Sequence, residues 1–142
     1  MGGDVVRSVK TSIAPPILIV DDDPMICFVC RARLVQDGFA VETASSGVKG
    51  LEMARAQRYQ LILLDLFMPG YTGLDFLRDA AELLGSTPVI VISATEKEMV
   101  VERCLELGAT HFLIKPVPAR VLSAEVERVL ASWRPSRSSL RA

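Results

Sequence analysis

Short apolar runs that stop abruptly at a polar residue recur along the chain. Ile17-Leu18-Ile19-Val20 ends in three aspartates, Leu61-Ile62-Leu63-Leu64 ends at Asp65, Val89-Ile90-Val91-Ile92 follows Pro88 and ends at Ser93, and His111-Phe112-Leu113-Ile114 ends at Lys115-Pro116. Runs of this length with no polar alternation are the pattern of strands buried on both faces of a parallel sheet. Phe39 to Thr43 is a further strand candidate. Between the runs the apolar period changes to that of a helix. Pro24 opens a segment with Ile26, Val29, Cys30 and Leu34 on one stripe, closed by Gly38. Ser46 caps a helix from Gly47 to about Gln57, with Val48, Leu51 and Ala54 turned inward. Gly73 to Leu84 carries Leu74, Leu77, Ala81 and Leu84 at helical spacing, Lys97 to Leu107 ends at Gly108, and Arg120 to Ala131 presents Val121, Leu122, Val126, Val129 and Leu130. Five strands alternating with five helices through short connections predict an α/β fold, a doubly wound five-stranded parallel sheet over residues 16–131.

In such sheets ligands gather at the carboxyl ends of the strands. Four strand ends here deliver polar groups to that edge: Asp21, Asp22 and Asp23, then Asp65, Ser93 and Lys115. Converging carboxylates repel one another unless a cation sits among them, and an all-oxygen ligand set favours a hard ion such as magnesium over zinc or copper. Asp65 in that setting is a nucleophile for a phosphoryl group, already ionised and in no need of a base. Lys115 is a point cation for a phosphoryl oxygen, and Ser93 a compact hydroxyl donor. Asp23, directly before Pro24, reads mainly as a helix cap.

A chain of 142 residues is enough for one core and leaves no room for a second enzymatic domain. No apolar run approaches the roughly 18 residues that span a bilayer, which predicts a cytoplasmic protein with no membrane contact. Three cysteines, Cys27, Cys30 and Cys104, fit a reducing compartment better than a disulfide framework. Cys27 and Cys30 have the spacing of a redox pair, but no second pair follows, and Cys30 suits a small buried hydrophobe. The formal charge of −1 is uneven: the first 15 residues carry Arg7 and Lys10 against Asp4, and the last 11 carry Arg134, Arg137 and Arg141, leaving the body acidic. That balance argues against direct nucleic-acid binding. Residues 1–15 read as a flexible N-terminal extension and 132–142 as a polar, basic tail or linker.

The stretches ILIVDDDP, LILLDLFMPGYTGLDFL, PVIVISA and HFLIKP, taken together, resemble the receiver domain of bacterial two-component response regulators, a flavodoxin-like fold. The resemblance implies a magnesium site on Asp21 and Asp22, with Asp65 and the backbone carbonyl of Phe67 completing it, and Asp65 as phosphoacceptor. It implies Lys115 as the phosphate-sensing lysine, with a cis bond to Pro116, and Ser93 and Phe112 as the switch pair. Phe67 and Thr95, two residues beyond the acceptor and the switch hydroxyl, occupy positions that tune the lifetime of the phosphorylated state. The implied donors are a sensor histidine kinase or a histidine phosphotransfer protein, and the implied output is a partner docking on the face of the fourth helix, fifth strand and fifth helix. Thr72 and Phe112 stand where the family often has an acidic residue and a tyrosine. Such a domain catalyses its own phosphorylation and slow dephosphorylation without being a conventional enzyme. A receiver-type interaction module independent of phosphorylation, or a piece of a larger regulator, is the alternative. A haloacid-dehalogenase-type phosphatase would want a cap region and a longer chain, and a Rossmann or P-loop site would want a glycine-rich loop after the first strand.

Overall fold

The computed structural model describes residues 14–134, and most of the N-terminal extension and of the basic tail lies outside the described residues. Within them the chain runs β1 (Ile17–Val20), α1 (Pro24–Gln36), β2 (Val41–Ala44), α2 (Gly47–Ala56), β3 (Leu61–Asp65), α3 (Gly73–Asp79), β4 (Val89–Ser93), α4 (Glu98–Glu106), β5 (His111–Ile114) and α5 (Ala119–Ser132). The strands form one parallel sheet in the order β2-β1-β3-β4-β5. Among the described residues no helix is long and apolar enough to cross a membrane.

Strand residues alternate between two apolar layers, as a period of two requires. Leu18, Val20, Ile62, Leu64, Val89 and Val91 pack toward Ala54 of α2, Phe76 and Leu77 of α3 and Cys104 of α4. Ile17, Ile19, Leu61, Leu63, Ile90 and Ile92 pack toward Leu34 of α1 and Leu122, Val126 and Val129 of α5. Sequence order reverses between β1 and β3, so the crevice at their carboxyl ends is the switch point of the sheet. The register sets Val20 beside Leu64 and Asp65 beside Ile92, which brings Asp21 and Asp65 to one edge.

Four expectations shift. The predicted helix from Gly73 to Leu84 ends at Asp79 and is followed by a 3-10 turn, Ala81–Leu83. The cause lies in α2. Arg55 Nη2 donates to the Asp79 carbonyl at 2.7 Å, the acceptor a continuing helix would have given to the Leu83 amide, and Leu83 N–H turns to Ala80 instead. Val29, assigned to the inner stripe of α1, is 49% exposed; Cys27, Cys30 and Leu34 pack inward. Val48 is likewise exposed, because α2 lies so close to β1 that glycine faces the sheet: a Cβ on Gly50 would come within 2.7 Å of Val20 Cγ2. Phe39 belongs to the cap of α1 rather than to β2, its amide donating back to the Leu34 carbonyl across Gly38, whose φ is +101°.

Candidate active site

β1 stops at Asp21 because the chain there turns to start α1. Asp23 Oδ1 accepts from the Met25 amide at 2.9 Å and from Ile26 at 3.4 Å, capping the helix as the sequence suggested. Asp21 is buried, its Oδ1 accepting from the Asp23 amide at 2.9 Å, while the Cys27 thiol donates to the Asp21 carbonyl at 3.3 Å. Asp22 is left exposed beside it. Asp65, at the end of β3, is also buried. Carboxylate oxygens of Asp21, Asp22 and Asp65 all lie within 4.8 Å of one another.

Lys115 reaches this cluster from β5. Its Nζ donates to Asp65 Oδ1 at 3.0 Å and lies 3.6 Å from Asp21 Oδ2. The Lys115–Pro116 peptide bond is cis. Burial pushes the carboxyls of Asp21 and Asp65 above the ordinary carboxylate range; the Asp23 amide and Lys115 pull Asp21 back and Lys115 pulls Asp65 back, while the charge of Asp22 repels both and that of Asp21 adds to it at Asp65. For Lys115 burial acts downward, yet the hydrogen bond to Asp65 and the charges of Asp21 and Asp65 outweigh it, so its ammonium is held more firmly than usual. Two buried acids and an exposed one share a single ammonium. Negative charge is in excess, the donors are all hard oxygens, and a small divalent cation fits both conditions.

The remaining residues surround this centre at different depths. Ser93 is fully buried, and its Oγ accepts from the Thr95 amide at 3.2 Å; Thr95 Oγ1 in turn accepts from the Lys97 amide at 3.3 Å. These bonds shape the loop into α4, which has no side-chain cap of its own. Phe112 is half-buried and packs against the same apolar layer as Val100 and Leu107. Phe67 is 56% exposed, directly after the buried Leu66. The loop from β3 to α3 turns on Gly70, with φ +75°, and closes on a capping box in which Thr72 and Asp75 satisfy each other's amides.

The description "Response regulator receiver domain" matches residues 17–127. The chain belongs to the response-regulator receiver family. This receiver domain is 36% identical over 116 residues to the transcriptional regulatory protein AfsQ1 of Streptomyces coelicolor, which covers 82% of this chain and 51% of that protein. It is 35% identical to ZraR of Escherichia coli, covering 81% of this chain and 26% of that one. The receiver domain thus spans about half or less of the length of these curated relatives. A CheY-like receiver domain protein from Methanospirillum hungatei superposes with a TM-score of 0.79 at 28% identity, covering 83% of this chain and 94% of that one. Chemotaxis protein CheY4 of Vibrio cholerae gives 0.77 at 28%, covering 82% and 98%.

Some participants at the receiver's edge carried no signal in sequence. Tyr71 Oη donates to Asp79 Oδ2 at 2.6 Å, and its ring lies so close to Gly47 that a Cβ there would be 2.4 Å from it. That side chain fastens the loop after Asp65 to both α2 and α3. Nothing in the pattern around Tyr71 distinguishes it from a solvated turn residue.

Proposed function

We propose that this receiver domain accepts a phosphoryl group on Asp65 from a protein phosphohistidine and converts the event into a changed protein-binding surface. The observation that supports this most directly is the placement of Lys115 Nζ 3.0 Å from Asp65 Oδ1, inside the cluster that Asp65 forms with Asp21 and Asp22. An oxygen of the ionised Asp65 carboxylate attacks phosphorus, the phosphorus–nitrogen bond breaks, and its electron pair leaves on the donor's imidazole. Asp65 becomes an acyl phosphate. Lys115 offers positive charge to the incoming phosphoryl oxygens, and backbone amides after Asp65 offer donors. Magnesium held by Asp21, Asp22, Asp65 and the Phe67 carbonyl supplies, when bound, the charge that brings an anionic phosphoryl group to an acidic pocket.

The readout rests on Ser93 and Phe112. Ser93 Oγ is an acceptor for the Thr95 amide, and its drawing toward a phosphoryl oxygen would loosen the loop that leads into α4. Phe112, half-buried against the same apolar layer as Val100, would follow into the space, altering the face of α4, β5 and α5 on which a downstream protein docks. Direct nucleic-acid contact is not part of this reading. The test is mass spectrometry of the intact chain after incubation with acetyl phosphate and magnesium. One phosphoryl group is expected, and its loss in Asp65→Asn; labelling of that variant at the wild-type rate would overturn the assignment.

A further inference from the structure

Between β3 and α3 the chain makes a loop, Leu66 to Thr72, that carries the Phe67 carbonyl and the first amides after Asp65. Its backbone has little to hold it. The amides of Phe67, Met68 and Gly70 donate to no backbone carbonyl of the described residues; Gly73 N–H closes the base of the loop on the Leu66 carbonyl at 2.7 Å, and Tyr71 N–H turns back to the Pro69 carbonyl at 2.9 Å around Gly70. Amides beside an acidic edge serve as donors to an anion only if the loop keeps one place. A side chain supplies the tether. Tyr71 Oη passes the Asp75 carbonyl at 3.4 Å and donates to Asp79 Oδ2 at 2.6 Å, at the far end of α3, while its ring lies against Gly47 at the start of α2. The Tyr71 hydroxyl first, and Arg78 after it, hold the Asp79 carboxyl below its ordinary range, so the acceptor is ionised and the bond charge-assisted. Asp79 is fixed in turn, because its carbonyl accepts from Arg55 of α2.

Given the phosphoryl acceptance proposed above, on which this rests, we propose that Tyr71 is a positioning residue for transfer to Asp65. Its bond to Asp79 holds the loop in the place from which the Phe67 carbonyl serves a metal ion and the amides serve phosphoryl oxygens. Tyr71 and Asp79 are both partly exposed, so water could satisfy either group, and the bond is not needed to spare a buried donor. What it does is close the loop and α3 into one body. Gly73, where the loop ends, sits so near the Asp65 carbonyl that no Cβ fits between them, so the base is fixed already. Without the Tyr71 bond that base and α3 stay, and the part released to shift is residues 67–71, which carries the donors.

Two quantities test this in the wild type, Tyr71→Phe, Asp79→Ala and the double variant: magnesium affinity of the folded chain by calorimetric titration, and the rate of acetyl phosphate labelling at saturating magnesium. Tyr71→Phe keeps the ring against Gly47 and Asp79→Ala removes a partly exposed carboxylate, so both should fold, with circular dichroism as the check. Each single variant should raise the magnesium dissociation constant about tenfold and slow labelling about tenfold. The double variant should be no worse than either, because both changes remove one bond. Asp79→Asn, which keeps an acceptor, should restore most of both. A packing role alone would shift the denaturation midpoint and leave affinity and rate of the folded chain as they were. Wild-type values in Tyr71→Phe, or losses that multiply in the double variant, overturn the proposal. A wild-type chain that takes no label on Asp65 overturns the phosphoryl reading and this proposal with it, whereas a labelled wild type beside an unimpaired Tyr71→Phe overturns this proposal alone.

Discussion

Lys115 Nζ stands 3.0 Å from Asp65 Oδ1 and 3.6 Å from Asp21 Oδ2, one ammonium serving two buried carboxylates. The pairing is incomplete, since burial still pushes both acids above their ordinary range. The fold therefore favours a neutral group at these positions. Asp65→Asn should raise the stability of the metal-free protein, because the amide removes a buried charge that is only partly compensated. Lys115→Ala should lower it by about 2 kcal/mol, because it strands both charges. Urea denaturation of the three proteins in chelator decides the matter; a destabilised Asp65→Asn would show that the ion pair outweighs burial.

Magnesium should do for the wild type what the amide does for that variant. A ligand that binds only the folded state at a hundred times its dissociation constant adds about 2.7 kcal/mol. The melting temperature should rise through the millimolar range. Asp22→Ala, which removes the exposed carboxylate of the cluster without touching the core, should blunt the response while leaving the metal-free melting temperature nearly unchanged.

Gly73 opens α3 directly against the end of β3 at Asp65. A Cβ there would lie 2.8 Å from the Asp65 carbonyl oxygen and 2.8 Å from Leu66 Cα, both backbone atoms that cannot swing aside. Gly73→Ala should cost about 1–3 kcal/mol as an overpacked site. It should also slow acetyl phosphate labelling beyond what the lost folded fraction explains, since the clash displaces the end of β3. Labelling rate and denaturation midpoint, measured on one preparation, separate the two effects.

The sheet and its polar edge were legible because they follow from local rules. A strand covered on both faces admits no polar residue until it leaves the core, so Ile17–Val20 and Leu61–Leu64 announce themselves and the residues after them mark the edge. What misled was phase. α1 has apolar residues all round, so Ile26, Val29, Cys30 and Leu34 formed as good a stripe on paper as the one that packs, and only the neighbouring layer chooses between them. The break after Asp79 was illegible for another reason: its cause, Arg55, is 24 residues away in sequence.

Tyr59 and Tyr71, the only tyrosines, are both pushed up to about 12, by burial first and then by hydrogen bonds to Glu42 and Asp79. Below pH 10 both states of the protein keep these protons and the pair contributes no pH dependence. Between about 10 and about 12 the unfolded chain loses protons that the folded one retains, so stability should fall as pH rises through that window. Absorbance at long ultraviolet wavelengths should therefore show tyrosinate appearing together with unfolding rather than before it. Tyr71→Phe should lessen the slope.

We propose that the lifetime of the phosphorylated state turns on Phe67 and Thr95. Hydrolysis needs a water aligned opposite the Asp65 oxygen, and Phe67, next but one to Asp65, is large, apolar and 56% exposed, so its ring is outside the core. It offers water no hydrogen bond. Thr95 Oγ1 is engaged by the Lys97 amide, and a hydroxyl is neither acid nor base near neutral pH. Both positions thus lack a group that could orient or activate water. Replacing them by an amide and a carboxylate, Phe67→Asn with Thr95→Glu, should speed loss of the label about tenfold, equivalent to roughly 1.4 kcal/mol of barrier. The measurement is decay in magnesium after removal of the donor. Unchanged decay, with folding and magnesium response intact, would place control of water access elsewhere, the first candidate being the loop that Tyr71 fastens to Asp79.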